Sequence, residues 1–194
     1  MHDPVVTPQA DAVVGSGFGA RAAAFFIDII YLLLLSMVVA AVVGVVLGLV
    51  AVIRGGPYAF DEQLLPWLNL FNGTFIMTLY FVLPEGLYGA TPGKRRLKLC
   101  VIQADGTPCR LGPALVRGLL RYVDLFMFGL VAYISMRPPL YQRVGDKAAH
   151  TLVVGIYSPV IRERRGGGWL IAALGLFLLL SICSTTLLFG VALR

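Results

Sequence analysis

The chain has 194 residues, of which 58% are hydrophobic and 13% charged, and its net charge is +6. Its mean hydropathy is +0.84. Soluble domains carry roughly 25% charged residues, so this composition excludes a disordered chain and leaves too little polar sequence to coat an ordinary soluble domain.

Residues 1–20 are polar, with Pro4, Pro8 and glycines at 15, 17 and 19. They read as a mobile N-terminal tail that tightens at Arg21. The Gly-x-Gly spacing is not a dinucleotide fingerprint, because no strand precedes it. Ile29 to Ile53 then runs for 25 residues without a charge, Gln63 to Pro84 for 22 and Gly166 to Leu193 for 28. Crossing the hydrocarbon layer takes about 20 residues at about 1.5 Å each. All three runs suffice, and in lipid a single chain segment satisfies its own backbone only as a helix. The first run is not expected to be a secretory signal, which begins with basic residues. Here Asp3 and Asp11 precede it, and the first 20 residues hold no Lys or Arg. Gly55, Gly56 and Pro57 mark a turn between the first two runs.

After the second run, Leu97, Leu99 and Val101 alternate with Lys98 and Cys100, the pattern of a short strand. Asp105-Gly106 follows as a turn, and Thr151 to Tyr157 is the expected partner strand. Together they predict a small β-hairpin-like element against the membrane face. Between them, Leu111 to Met136 is apolar in outline but carries Arg117, Arg121 and Asp124. Only Leu125 to Met136, 12 residues, is free of charge, a length typical of interfacial or re-entrant segments.

Loop charges separate two topologies. If the 111–136 segment crosses, seven Lys and Arg fall on each side of the membrane. If it enters and returns, twelve fall on one side and only Arg54 and Arg194 on the other. The positive-inside bias favours the second count. The expected fold is therefore all-α and integral to the membrane, with three full transmembrane helices and a charged interfacial or re-entrant helical segment. The N-terminus and residues 85–165 are then cytoplasmic. Four transmembrane helices are the alternative, because charges can be paired inside a bundle. Along the chain this gives a tail at 1–20, a membrane domain at 21–160, and a basic linker with an extra C-terminal helix at 161–194.

Asp28 is the sharpest candidate for function. A carboxylate in a membrane helix costs roughly 2.5–3.5 kcal/mol at the bilayer centre, so it must face protein or water. Two readings weigh equally: a site for a proton or cation, and an ion pair that fixes helix packing. Arg21-x6-Asp28 is echoed by Arg117-x6-Asp124, and both start apolar runs. Cross-pairing of Asp28 with Arg117, and of Arg21 with Asp124, is the arrangement this echo suggests. Arg121 lies three residues before Asp124 on the same helix face. For Arg21, snorkelling to the headgroup level is expected ahead of a substrate contact.

Lys94, Arg95, Arg96 and Lys98, with Arg162, Arg164 and Arg165, flank membrane segments and suit anionic headgroups. Nothing beside them resembles a nucleic-acid module. Cys100, Cys109 and Cys183 lack zinc spacing, and His2 and His150 stand far apart. No enzyme, metal or cofactor is expected. The hydroxyls of Ser181, Ser184, Thr185 and Thr186 are expected to bond back to their own helix. Gly44-x3-Gly48 permits close helix approach and is a weak sign of oligomerisation.

The ordered motifs RAAAFFID, ATPGKRRLKLCVIQADG, LVRGLLRYVD and QRVGDKAAHTLVV resemble those of the RDD family of bacterial membrane proteins, over roughly residues 18–160. That resemblance assigns the family Arg to Arg21 and the first Asp to Asp28. The second Asp is Asp124 or Asp146. It implies a multi-pass protein of the bacterial inner membrane and a transport role for unknown ligands, in some members with cation/proton antiport activity and in others with partner proteins. The leading expectation is a transport protein, or a subunit of one, in which Asp28 binds a cation or proton. Three spans enclose little volume, so a homo-oligomer or a complex with another membrane protein is implied. The alternative is a non-transport scaffold that docks a partner through its basic loops.

Overall fold

The computed structural model describes residues 14–56, 63–125 and 129–192. Three long helices carry the fold: α1 (Phe18–Arg54), α2 (Leu65–Leu87) and α7 (Gly168–Ala192). Each is long and apolar enough to cross a membrane, as the charge-free runs require. Their shared core joins Tyr80, Phe81 and Leu83 of α2 to Ala173 and Phe177 of α7, with Phe25, Tyr31 and Leu32 of α1 packed against them. Phe25 stacks on Phe81 at 5.9 Å, and Tyr80 meets Phe177 edge-on at 5.6 Å. The remaining faces expose Leu33, Met37 and Leu49 of α1 and Leu179 of α7, as expected where lipid is the solvent.

Helix ends follow local chemistry. α1 stops at Gly55, whose φ of 79° suits the left-handed cap and lets its amide reach the Ala51 and Val52 carbonyls. Within α7, Thr185 donates to the Ser181 carbonyl and Thr186 to the Ile182 carbonyl, the expected bonding back to the helix. Asn72 of α2 adds a link across the helices, meeting Ser184 at 3.0 Å and Thr185 at 3.1 Å. Gly44 and Gly48 face open space, with no other described part of the chain near them.

A second layer sits at one end of the bundle. It comprises α3 (Pro92–Arg96), β1 (Leu99–Gln103), α4 (Leu111–Leu125), α5 (Leu130–Ser135), α6 (Val144–Ala148) and β2 (Thr151–Gly155). β1 and β2 pair antiparallel, from Leu99 opposite Gly155 to Gln103 opposite Thr151. The expected strand pair and the Asp105-Gly106 turn are both present. The strand starts at Leu99 rather than Leu97, because Leu97 caps α3 and Lys98 has a positive φ of 56°.

The described part of the 111–136 segment holds no helix of spanning length. At 15 residues, α4 is about 22 Å long, short of the hydrocarbon thickness. Its sidedness is the reverse of a soluble helix. Arg117, Arg121 and Asp124 are buried, while Leu115, Leu119 and Val123 are exposed. That arrangement suits a helix with lipid on one face and a polar protein interior on the other. Gly118 lets it lie close on α2, since a Cβ there would stand 2.6 Å from Val82 Cγ2.

Residues 1–13 of the expected tail, Pro57 of the expected turn and Arg194 lie outside the described residues. Residues 15 and 16, before Arg21, already bond to the second layer. The Gly15 amide donates to the Pro139 carbonyl at 3.0 Å, the Ser16 amide donates to the Val153 carbonyl at 2.7 Å, and α1 starts at Phe18.

Candidate functional site

The charged side chains of the bundle end and of the second layer converge. Asp28 is fully buried. Its Oδ1 accepts from the Tyr80 hydroxyl at 3.0 Å and the Gly93 amide at 2.7 Å, and its Oδ2 from the Thr91 hydroxyl at 2.5 Å. Tyr80 lies seven residues before the end of α2, so Asp28 is roughly 10 Å inside the helix end. The segment Thr91-Pro92-Gly93-Lys94 is built for this contact. Thr91 caps α3, and Pro92 supplies a first-turn residue that needs no amide partner. Gly93 allows close approach, because a Cβ there would stand 2.4 Å from the Ala24 carbonyl oxygen. Asp28 thereby ties α1, α2 and α3 together.

Beside it runs an ion-pair network. Glu85 of α2 pairs with Lys94 at 2.5 Å, Arg117 at 3.0 Å and Arg121 at 3.1 Å. Asp146 of α6 pairs with Arg21 and Arg117, and lies 3.7 Å from Arg143. Arg117 joins the two carboxylates and also donates to the Thr151 hydroxyl at 2.7 Å. The Arg121 guanidinium lies over the Phe81 ring at 3.5 Å. Burial alone would raise the Asp146 carboxyl, but Arg117, Arg143 and Arg21 outweigh it and hold the group well below the ordinary carboxylate range. Burial pulls Lys94 down to about 8, against the attraction of Glu85.

These contacts correct several expectations. The cross-pairs of Asp28 with Arg117 and of Arg21 with Asp124 do not form. Asp28 is turned to α3, and Arg117 finds Glu85 and Asp146 across the faces of α2 and α6. Arg21 turns inward to Asp146 and to the Ser16 carbonyl at 2.8 Å instead of snorkelling. Lys94 is buried against Glu85 and is closed to headgroups. Arg165 donates to the Gly86 and Leu87 carbonyls at 2.6 and 2.8 Å, capping the end of α2. Arg95, Arg96, Lys98, Arg162 and Arg164 stay exposed.

Glu85 and Arg143 are absent from the sequence-predicted site. The apolar run ends at Pro84, which places Glu85 in the loop, yet α2 continues to Leu87 with Pro84 inside it. A Glu immediately after a charge-free run was the available signal. Nothing local singles out Arg143, whose partners Asp124 and Asp146 are fixed by the docking of α6 on α4.

A cavity of about 170 Å³ adjoins the network. Phe18, Phe26, Leu125, Ala132 and Met136 wall it, and Arg21, Asp28, Lys94, Arg121, Asp124 and Arg143 also line it. Both helices of the Arg-x6-Asp echo therefore face one pocket. Asp124 is buried, yet among the described residues neither of its oxygens accepts a hydrogen bond. Its ion-pair partner is Arg143, at 3.6 Å. Burial pushes the Asp124 carboxyl up, against the pull of Arg143.

The sequence profile of the RDD family matches residues 16–150, most of the chain and every charged residue of this network, so the chain belongs to the RDD family. No curated protein matches it, and no solved structure does.

Proposed function

We propose that this RDD family membrane protein is a transport protein, or a subunit of one, that exchanges a proton at Asp124. The observation that carries the reading is a buried carboxylate beside a cavity, paired with Arg143 at 3.6 Å and accepting no hydrogen bond among the described residues. Asp28, the carboxylate singled out by the sequence, already accepts three hydrogen bonds and serves better as an anchor. A proton fits Asp124 better than a metal cation. Arg21, Lys94, Arg121 and Arg143 line the same pocket and repel a second positive charge.

The reading is non-enzymatic. Three spans do not enclose a path, so a second copy or another membrane protein completes it. The positive-inside bias supports a cytoplasmic placement of the charged layer and the N-terminus in a bacterial inner membrane. Exposed Arg95, Arg96, Lys98, Arg162 and Arg164 then meet anionic headgroups. The same basic surface supports the second reading, a scaffold that holds a partner protein.

Vesicles with purified protein and an enclosed pH-sensitive dye test the transport role. An imposed pH gradient is expected to dissipate through wild type and not through Asp124→Asn. Equal flux in both contradicts the assignment.

A further inference from the structure

The residues lining the pocket beside Asp124 include arginines with unpartnered donors as well as a carboxylate that accepts no hydrogen bond among the described residues. Arg21 Nη2, Arg121 Nε and Arg143 Nε are buried without a hydrogen-bond acceptor among the described residues. Arg21 and Arg121 are more than nine-tenths buried. Such groups are costly to leave unpaired. The surrounding charge leans positive: with the carboxylates behind the wall counted, Arg21, Lys94, Arg117, Arg121 and Arg143 face Asp28, Glu85, Asp124 and Asp146. The wall is otherwise apolar, and Phe26 on it is 68% exposed. A site with Arg donors inside and an apolar rim fits a ligand with an anionic head and a hydrocarbon tail.

We propose that this pocket binds one anionic phospholipid, its phosphate on the unpartnered N–H groups of Arg21, Arg121 and Arg143 and its chain along Phe18 and Phe26. Guanidinium forks suit phosphate oxygens. A cavity of about 170 Å³ takes a headgroup phosphate and not a whole lipid, so the tail lies on the exposed apolar face of α1. Asp124 opposes the phosphate when ionised and donates to it when protonated. The charged groups around Asp124 are Arg117 and Arg121 on its own helix, Arg143 before α6 and Asp146 on α6. The site shares its pocket with the proposed proton exchange but does not rest on it, because binding is read without transport.

Native mass spectrometry of the detergent-purified full chain tests this, with phosphatidylglycerol, phosphatidylcholine or inorganic phosphate added. One phosphatidylglycerol is expected to be retained about tenfold more tightly than phosphatidylcholine. Ala132→Phe fills the pocket without touching a charge and is expected to release it. Arg143→Gln is expected to weaken it about tenfold, and serves if Ala132→Phe does not fold. Asp124→Asn, which stops flux in the transport reading, is expected to keep the lipid or hold it more tightly. Arg110→Gln, on an exposed surface away from the pocket, is expected to change nothing. Equal retention of phosphatidylcholine, or retention of the lipid by a folded Ala132→Phe or Arg143→Gln, overturns the proposal. Displacement of the lipid by inorganic phosphate assigns the site to a free anion and overturns the lipid form.

Discussion

Arg117 of α4 and Asp146 of α6 are both fully buried, and their side chains pair at the centre of the ion-pair network. The pair does more than join two elements, because Arg117 also holds Glu85 at 3.0 Å. One guanidinium thus connects α2, α4 and α6. A planar fork with several donors can do this, and a lysine ammonium cannot reproduce the geometry.

Replacing Arg117 by Met leaves two buried carboxylates short of a partner. The expected loss is about 3–5 kcal/mol, read as a large drop in melting temperature in detergent. Arg117→Lys is expected to recover only part of it. Unchanged melting in Arg117→Met would show that the network adds no stability.

Asp28 is expected to act through α3. Asp28→Asn keeps one acceptor oxygen but turns an amide toward donors. A loss of about 1–3 kcal/mol follows, together with faster hydrogen exchange at the Gly93 amide. Wild-type exchange at Gly93 would separate Asp28 from the docking of α3.

Acid behaviour separates the two network aspartates. The folded Asp146 carboxyl sits below its unfolded value of about 3.9, so its stabilisation is full above that value and is lost as pH falls through the folded one. The melting temperature of Asp146→Asn should therefore lie below wild type at neutral pH and converge toward it in acid. Asp124 has the opposite sign. Its folded carboxyl is raised, so its contribution is present below about 3.9 and lost as pH rises through the folded value. Asp124→Asn should gain melting temperature relative to wild type on going from acid to neutral pH. Parallel curves for the two variants would contradict these directions.

Much of the architecture is legible in the sequence because lipid is a uniform demand. Three long charge-free runs become three long helices, and Arg117, Arg121 and Asp124 mark a segment whose described helices are shorter than a span. Partner choice was not legible. Which carboxylate Arg117 meets depends on how α4 lies across α2, a crossing that Gly118 permits but that no spacing announces. Lys94 reads as part of a solvated basic run, yet its position after the Thr91 cap turns it toward Glu85. A carboxylate directly after Pro84 was visible, but the continuation of α2 through that proline was not.

A 111–136 segment that enters the membrane and returns keeps positions 137 and 164 on one side. In a chain freed of its cysteines, Arg137→Cys and Arg164→Cys are expected to react with an impermeant label from the same side, and Gly56→Cys from the other. Labelling of positions 137 and 164 from opposite sides would mean that the 111–136 segment crosses.

The proton exchange proposed at Asp124 is read directly by pH-difference infrared spectroscopy. Wild type is expected to show a protonated-carboxyl stretch that fades as pH rises through a value above the ordinary aspartate range of about 3.9, and Asp124→Asn is expected to lose a component of that band that Asp28→Asn keeps. A band left unchanged in Asp124→Asn, or no band in wild type, would contradict the assignment.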